Sequence, residues 1–414
     1  MFWVGLRFAC LALEAVCIDA GVSSPGYSGK KRSGNEVSSG RESKRLFWSA
    51  TEAAPFAIID GPLQRRHIVL ANPIAEKAGV RAGQPLATAH MLCPRLAAVP
   101  RDPAAERQAL ESLATWAYRF SAEISIAAPD TLFVEVGASL TLFGGWLALQ
   151  RRLRTELDAF GFAYSLAAAP TAAAARVLAT HADGLAIPRQ DLLSNALGSV
   201  PLTASGLDAK TVIALHGMGF RKLRDLFRLP RAELGRRMGA DALDHLDRAR
   251  GLANEVLPRW QPPNRFQRHI EFSFGIESQA ALAFPLQRLI REFALFLIAR
   301  DGGVQRFNLV LGHERGASTR VDIGLLAPQR DATALLELAR ARLERIELVA
   351  PVHALTLHAD DLPPLCPLHQ DLFETSRCEQ LSWPALVERL RSRLGDEALR
   401  GLHCVADHRP GRAW

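Results

Sequence analysis

The strongest constraint on how this 414-residue chain can fold is a proline- and arginine-rich stretch at residues 258–268, PRWQPPNRFQR. Proline lacks the backbone N–H that interior helix and strand positions use, so three prolines in eleven residues predict a connector. The chain is long enough for two to four domains with cores of their own. We therefore predict separately folded parts on the two sides of this connector.

Before the connector, apolar patterning predicts a mixed α/β region followed by a purely helical one. Strands are predicted at residues 2–6, 55–59, 67–70, 123–127, 131–136 and 164–168, with hairpins joining 55–59 to 67–70 and 123–127 to 131–136. Helices are predicted from about Cys10 and at residues 75–83, 88–92, 106–120, 147–160 and 171–181. From residue 192 to residue 256 the pattern is helical throughout, with short Gly or Pro breaks.

After the connector, strand-like and helix-like segments alternate in the order β-α-β-β-α-β. The predicted strands are residues 270–274, 307–312, 319–323 and 352–359, and the predicted helices are residues 285–299 and 332–345. This order is typical of the split βαβ, ferredoxin-like arrangement. A Pro-rich joint at 362–367 precedes a tail with one amphipathic helix at 383–394.

The N-terminal run MFWVGLRFACLALEAVC has two interpretations, a secretory signal or a buried strand that leads into a helix. A signal needs a positive end before an uninterrupted apolar stretch, whereas here Arg7 and Glu14 interrupt the run. We favour the strand. The Ser/Gly/Lys-rich residues 21–44 lack apolar periodicity and predict a flexible insertion.

Composition places the chain among globular proteins, with 48% hydrophobic residues, a mean hydropathy of +0.03 and no apolar run long enough to span a membrane. We therefore expect a cytoplasmic protein without a membrane partner. The six cysteines include no CxxC pair, which suits a reducing compartment. Cys366, His369 and Cys378 could be imagined as metal ligands, but a second tight pair is missing, so we predict no metal and no cofactor.

The positive charge is concentrated in residues 201–270. This stretch holds thirteen Lys/Arg and seven Asp/Glu, a net charge of +6 in a chain whose net charge is +7. A solvated helix face or a phosphate-binding surface would both explain this charge. Composition alone leaves both open.

Four segments, in order, resemble motifs of the Y-family translesion DNA polymerases: residues 72–94, 139–145, 167–179 and 205–230. The resemblance implies an α+β multidomain right hand with palm, fingers, a helical thumb containing a helix-hairpin-helix, and a βαββαβ little-finger-like domain. It implies the following parts: first palm strand and helix 1–16, flexible insertion 17–50, fingers 51–97, palm 98–186, thumb 187–257, basic linker 258–268, little finger 269–361, and a partly disordered clamp- and partner-binding tail 362–414.

The resemblance also implies where catalytic groups should stand, and most are missing. Two-metal nucleotidyl transfer needs carboxylates around two Mg²⁺ ions. The family's acidic positions fall on Gly5, Arg7, Asp130 and Thr131, and its triphosphate-binding positions fall on Pro73, Glu76 and Ala172. Asp130 is therefore vestigial, and the pattern is similar to the catalytically inactive ImuB subgroup. We predict no enzymatic activity.

Two rival interpretations remain open. One is an active DNA-directed DNA polymerase that uses substitute acids, for which Asp130, Glu135 and Glu76 are the nearby candidates. The other is a plain DNA-binding protein that has inherited the fold.

The thumb-like segment predicts sequence-independent DNA binding. Its tight turn could bring backbone N–H groups near a phosphate, whereas the first hairpin, Ser205-Gly206-Leu207, lacks the usual Gly-x-Gly. The linker arginines add predicted backbone contacts. The predicted DNA-binding residues are Gly217, Gly219, Arg221, Lys222, Arg224, Arg259, Arg265 and Arg268.

In the tail, PLHQDLF (367–373) resembles the bacterial clamp-binding pentapeptide. Extended ligands of this kind insert paired apolar side chains into a preformed pocket. Leu372 and Phe373 would be the anchors, Asp371 the polar spacer, and His369 and Gln370 the preceding positions.

The ImuB resemblance implies a hub for damage-induced (SOS) mutagenesis. Such a hub binds DNA, the sliding clamp, an ImuA-type partner and an error-prone replicative-type polymerase. The tail helix, with Leu386, Leu390 and Leu394 on one face, could pack internally or bind a partner, and the sequence leaves this open.

Overall fold

The fold was analysed in a computed structural model of the chain. It describes residues 1–19, 54–158, 160–314, 316–348 and 350–365, together with Leu386, Val387, Leu390, Arg391 and Leu399. The chain divides into two compact units, Met1–Gln261 and Pro262–Trp414. The division lies within the predicted connector.

The first unit contains seven strands and eleven helices among its described residues. The strands are β1 (Trp3–Arg7), β2 (Phe56–Asp60), β3 (His67–Ala71), β4 (Ala97–Pro100), β5 (Ile124–Ala127), β6 (Thr131–Glu135) and β7 (Ser165–Ala169). The helices are α1 (Leu11–Asp19), α2 (Pro73–Lys77), α3 (Leu86–Leu92), α4 (Pro103–Ala117), α5 (Trp146–Asp158), α6 (Ala172–His181), α7 (Gln190–Gly198), α8 (Ala209–Gly217), α9 (Leu223–Phe227), α10 (Arg231–Met238) and α11 (Ala240–Arg250).

The N-terminal run forms an inner strand of the first unit's larger sheet, whose order is β5-β6-β1-β7. Strand β1 pairs antiparallel with both β6 and β7. Val4 and Leu6 are fully buried in the sheet, where apolar side chains are favoured on both faces of an inner strand. The strand interpretation is confirmed. Helix α1 continues to Asp19, three residues beyond the predicted end of the first palm segment.

A smaller three-stranded sheet has the order β3-β2-β4. The predicted hairpin of β2 and β3 is confirmed, and β4, which the sequence did not predict, adds in parallel to β2. The helix predicted over 75–83 is wrong in extent, because α2 ends at Lys77. Gly79 has φ +94°, a left-handed conformation that terminates helices, and the buried Val80 turns back into the core.

The helical part of the first unit consists of α7 to α11, as the sequence predicted. Its buried leucines pack in one core with the small residues of α6. These leucines include Leu193, Leu215, Leu226 and Leu246. The alanine-rich sequence of α6 allows this close packing, because its buried positions carry little more than a methyl group.

The second unit contains strands β8 (Phe266–Ile276), β9 (Val304–His313), β10 (Thr319–Gln329) and β11 (Val352–Ala359), with helices α12 (Gln279–Ala299) and α13 (Ala332–Leu343). The sheet order is β10-β9-β11-β8, and all neighbours are antiparallel. The parallel strands β8 and β9 are separated by β11, and β10 and β11 are separated by β9, so both βαβ units are split as predicted.

Two details of the second unit differ from the prediction. Its edge strands are β8 and β10, whereas the ferredoxin-like order places the second and fourth strands at the edges. The sequence predicts that this helix starts at residue 285, whereas α12 begins at Gln279 and includes Pro285 in its interior. The earlier start is explained by Ser278, which caps the helix by accepting a hydrogen bond from the N–H of Ala281 (3.2 Å).

The predicted linker 258–268 is too long at both ends. Strand β8 begins at Phe266, so Arg268 belongs to the sheet. At the other end, Trp260 donates its backbone N–H to Ile124 (2.7 Å) and packs on the core of the first unit. Tertiary contacts therefore hold much of a stretch whose prolines predicted an open connector.

Within the described residues, every helix is too short or too polar to cross a membrane. Most of the predicted insertion (17–50), the clamp-binding pentapeptide and most of the tail helix lie outside the described residues.

Candidate functional site

Gly5, for which the motif resemblance predicts the first acidic position, is covered by a helix. It lies on β1 between Phe133 of β6 and Ala167 of β7. A Cβ atom added there would lie 2.9 Å from the carbonyl carbon of Ala175 and 3.1 Å from the backbone nitrogen of Arg176, both in α6. Backbone atoms cannot move aside as a flexible side chain can, so this position has no room for a carboxylate side chain.

The surviving carboxylate, Asp130, is bound by its neighbours. Its Oδ2 accepts a hydrogen bond from Nε of Arg7 at 3.0 Å, and its Oδ1 accepts one from the hydroxyl of Thr131 at 2.8 Å. Arg7 and Thr131 are paired across β1 and β6, and about a quarter to a third of each charged side chain is exposed. A guanidinium thus lies beside the carboxylate for which the motif resemblance predicts a metal-binding position.

The two substitute acids do not complete this cluster. Glu135 lies opposite Trp3 at the other end of β6, four residues beyond Thr131, about 13 Å at the usual strand rise. Its Oε1 accepts the N–H groups of Phe2 (2.7 Å) and Gly137 (3.1 Å). Glu76 is an exposed residue of α2, beside the smaller sheet. Two catalytic metals must lie about 3.5–4 Å apart, so Glu135 cannot share them with Asp130.

The N-terminus of α6, where the palm Lys would stand, is closed by the protein's own groups. Ala172 is 2% exposed, and the N–H of Ala173 donates to Oε2 of Glu255 at 3.0 Å. The Thr171 hydroxyl caps α6 by accepting a hydrogen bond from the N–H of Ala174 (3.2 Å), and it donates one to the carbonyl of Ala249 (3.1 Å). A helix N-terminus attracts anions, and here Glu255 supplies the anion. No local pattern in the sequence predicts this contact, because it joins residues 82 positions apart.

The predicted helix-hairpin-helix is formed by α8, the turn 218–222 and α9. Gly217 ends α8, and Gly219 has φ +91°, as a tight turn requires. The Gly219 N–H donates to His216 O (3.1 Å), and the Arg221 and Lys222 N–H groups both donate to Oδ2 of Asp225 (3.0 and 2.9 Å). These amides, which the sequence suggested as phosphate ligands, are therefore engaged within the turn.

The pKa of Asp225 is consistent with its role as the acceptor of these two N–H groups. The N–H groups of Lys222 and Arg221 hold the pKa of Asp225 below its usual range, so the carboxylate stays ionised at neutral pH. The hairpin consequently depends on side chains for any phosphate contact. Arg224 is 60% exposed and its Nε lies 3.9 Å from Oδ1 of Asp225, whereas Nη1 of Arg221 donates a hydrogen bond to the carbonyl of His216 at 2.7 Å.

The first hairpin is packed inside the protein. Ser205 is fully buried, and a Cβ added at Gly206 (φ +81°) would lie 3.0 Å from Nε2 of His245. That ring nitrogen is 2.8 Å from the carbonyl of Ser205, and burial lowers the pKa of His245, which favours the neutral ring as the donor. This hairpin presents no charged side chain to a phosphate.

The three predicted linker arginines have different environments. Arg259 pairs with Glu123 (3.0 Å) and donates to the carbonyl of Ala122 (3.1 Å). Arg268, with 15% of its side chain exposed, lies 3.5 Å from Glu292. Arg265 is exposed and has no ion pair with any described residue. It is the linker arginine best placed for phosphate contact.

In the part of the chain that the structure describes, no group of three or more His, Cys, Asp or Glu side chains is arranged to hold a metal ion. The clamp-binding residues 369–373 lie outside the described residues, so their geometry is not part of this site.

Comparison with known proteins gives consistent matches. The model of the impB/mucB/samB family matches residues 50–180. Protein ImuB of Caulobacter vibrioides is 30% identical over 336 residues, which cover 81% of this chain and 73% of that protein. DNA polymerase IV of Aeromonas hydrophila is 26% identical over 46% of this chain and 55% of its own length. The solved structure of DinB from Sulfolobus solfataricus aligns with 88% of this chain and 100% of its own, at 15% identity and a TM-score of 0.46.

The chain is thus an α+β protein of the Y-family polymerase-like class, a class associated with DNA repair, translesion synthesis and mutagenesis. Within that class it belongs to the ImuB family. Membership of this family supports a role in damage-induced mutagenesis.

The contact at Gly5 gives a first prediction. Gly5→Asp should lower the free energy of unfolding by about 1–3 kcal/mol, because even the first side-chain atom meets the backbone of α6. Urea unfolding would measure the change. Gly324→Ala is the matched control, since Gly324 also lies in a strand and a Cβ added there meets nothing within 4 Å. Equal effects of the two substitutions would contradict the packing argument.

Proposed function

We propose that this protein is a non-catalytic hub for error-prone translesion DNA synthesis, which binds DNA, the sliding clamp and a partner error-prone polymerase. The observation that carries the non-catalytic part is the Arg7–Asp130 ion pair, next to the closed position at Gly5. The family membership supports the wider role.

The electrostatics of this ion pair oppose metal binding. Two Mg²⁺ ions require several oxygen ligands with negative charge between them. Here a single carboxylate is already neutralised by a guanidinium, and its second oxygen accepts the Thr131 hydroxyl. A dication would have to displace Arg7 and would then lie beside its positive charge.

The alternative of an active polymerase with substitute acids is less well supported. Glu135 accepts two backbone N–H groups at the end of β6 that lies away from Asp130. Glu76 lies in α2, which packs beside the smaller sheet. Ala172 is buried, and a carboxylate of Glu255 accepts the N–H of Ala173 at the N-terminus of α6, so the predicted triphosphate position carries an alanine and a negative charge.

The second prediction is the absence of nucleotidyl transfer. The purified protein with primed DNA, nucleotides and Mg²⁺ should show no template-dependent incorporation in a primer-extension assay. A clear extension product that disappears with Asp130→Asn would refute the non-catalytic hub hypothesis and establish the active-polymerase alternative. Incorporation that persists in Asp130→Asn would indicate a contaminating polymerase.

DNA binding through the turn 218–222 and α9 is the next part of the proposal. The amides of the turn are engaged, so the cationic side chains of Lys222 and Arg224 are the groups left for phosphate. Arg265 adds an exposed charge in the second unit. Contacts with phosphate carry no sequence information, so binding should be independent of sequence.

The third prediction concerns Arg224. Arg224→Ala should weaken binding to primed DNA and reduce the slope of log affinity against log salt by about one, because one phosphate contact is lost. Fluorescence anisotropy at several salt concentrations would measure both effects. Arg107→Ala, which removes an exposed arginine of α4, should leave the slope unchanged. Identical slopes in all three proteins would remove Arg224 from the interface.

Clamp binding is assigned to residues 369–373. Leu372 and Phe373 supply the adjacent apolar anchors that such extended ligands use, and Asp371 is the polar spacer. The ImuA-type partner and the replicative-type polymerase are proposed from the family alone. Because the segment lies past the last strand of the second unit, its substitution should leave both folded units intact.

The fourth prediction tests this assignment. Leu372→Ala with Phe373→Ala should cost about 2–4 kcal/mol of clamp binding if both side chains are buried anchors. A micromolar complex would then become too weak for a pulldown. The variant should keep its folding and DNA binding and lose damage-induced mutagenesis in cells.

Asp130→Ala is the matched control in the same cells and should leave mutagenesis intact. Unchanged clamp binding in the double variant would refute the assignment of residues 369–373. Lost mutagenesis in a stably folded Asp130→Ala protein would restore a catalytic role.

A further inference from the structure

A cavity of about 700 Å³ lies in the second unit beside the edge strand β10. Its volume is in the range of ligand-binding pockets. Four arginines from separate segments line it: Arg306 of β9, Arg320 of β10, Arg342 of α13 and Arg391 of the C-terminal region. The proposed function uses none of them.

The cavity is lined from both faces of β10. Asp322 and Gly324 alternate along one face of the strand, whereas the buried Ile323 lies on the face where α13 packs. Leu338 and Arg342 of α13 complete the lining on that second face. Because β10 is an edge strand, a cavity with lining on both of its faces lies around its free edge.

The free edge of β10 is open to another strand. Residues 319–324 pair with β9 on one side, and no described residue pairs with them on the other. Such an edge presents backbone N–H and C=O groups that an extended segment can use. Pairing with β9 is interrupted after Gly324 and resumes at Gln329, so a bulge ends this regular stretch. The edge therefore offers six residues for pairing.

Gly324 leaves a gap on the cavity side of the sheet. It lies opposite Arg306 of β9, so both residues are on the same face. A Cβ added at Gly324 meets no atom within 4 Å. A strand added to the free edge would lie about 10 Å from β9, which is two strand spacings. With no side chain at Gly324, a long carboxylate side chain of the added strand can reach Arg306 across β10.

Two of the arginines have no ion pair with a described residue. Arg306 is exposed on β9, and Nε of Arg391 is buried and has no hydrogen-bond acceptor. Buried donors are nearly always satisfied, so Arg391 points to a missing acceptor. A carboxylate matches a guanidinium because its two oxygens accept two parallel hydrogen bonds. The arginines therefore favour a ligand with carboxylates.

The rest of the lining favours a peptide over DNA as the source of these carboxylates. Asp322, Asp360 and Asp361 also line the cavity. DNA carries one negative charge per about 1.7 Å of its axis, so these three groups would repel its phosphates. Leu325 and Leu326 of the bulge form an apolar side, which has no counterpart in a phosphate backbone. A peptide can carry single carboxylates between apolar side chains.

We propose that the free edge of β10 and this cavity bind an extended acidic segment of a partner protein, which adds to the sheet as a further antiparallel strand. One carboxylate lies opposite Gly324 and binds Arg306. A second lies opposite Arg320, whose guanidinium has donors beyond the one that Asp322 accepts at 2.9 Å. The proposal is independent of the DNA and clamp assignments, which use other residues.

The probe is a fluorescein-labelled peptide, Leu-Glu-Val-Thr-Val-Glu, whose sequence follows from this pairing. Aligned against β10 from Leu325 back to Arg320, its two Glu face Gly324 and Arg320, and its Thr faces Asp322. Fluorescence anisotropy should show saturable binding to the full chain. The same peptide with Gln for both Glu should bind at least about tenfold more weakly, because charge-assisted hydrogen bonds are lost. Hydrogen–deuterium exchange of the amides of 319–324 should slow when the peptide is bound.

Two pairs of variants test the contacts. Arg306→Glu should weaken peptide binding about tenfold, whereas Arg345→Glu should not, since it reverses an exposed charge outside the cavity. Gly324→Phe should abolish binding by filling the gap, whereas Gly324→Ala should retain it, because a single methyl group there meets no atom within 4 Å. Should Gly324→Phe fail to fold, as judged by its thermal unfolding, the comparison of Arg306→Glu with Arg345→Glu decides alone.

Four results would overturn the proposal. The first is no saturable binding at about 1 mM peptide, and the second is binding without slower exchange at 319–324. The third is an Arg306→Glu protein that binds primed DNA more weakly and the peptide equally well, which would assign the cavity to DNA. The fourth is self-association of the parent that Gly324→Phe abolishes, which would assign the edge to a second copy of the chain. The clamp and DNA assignments keep their own tests in every case.

Discussion

The close contact between β1 and α6 at Gly5 is the constraint on which the first unit depends. With no side chain at Gly5, the backbone of α6 lies against an inner strand of the sheet, where a Cβ would be 2.9 Å from a carbonyl carbon. The same helix joins the sheet to the helical part, because Thr171 and Ala173 at its start bind Ala249 and Glu255. The glycine at position 5 and the present packing of the unit therefore depend on each other. Substitution of Gly5 by Asp would displace the helix.

Internal charges occupy three positions that the motif resemblance predicts for metal or phosphate ligands. Arg7 neutralises Asp130, and Glu255 takes the N-terminus of α6. Asp225 similarly binds two amides of the hairpin turn, and its lowered pKa keeps it charged. Each of these contacts is made within the chain and leaves the group less available to an external metal ion or phosphate.

The sequence predicted the elements well because their patterns are local. The inner strand at residues 2–6, both hairpins and the βαββαβ order follow from apolar periodicity and turn residues. What could not be predicted are contacts between distant residues. The contact of Ala173 with Glu255 spans 82 residues and that of Arg259 with Ala122 spans 137. The contact between Arg259 and Ala122 explains why part of the connector, which its prolines predicted to be open, packs against the first unit. At the candidate site, the residue types at the motif positions could be taken directly from the sequence. The lack of space for a side chain at Gly5 could not be predicted, because it depends on where α6 lies.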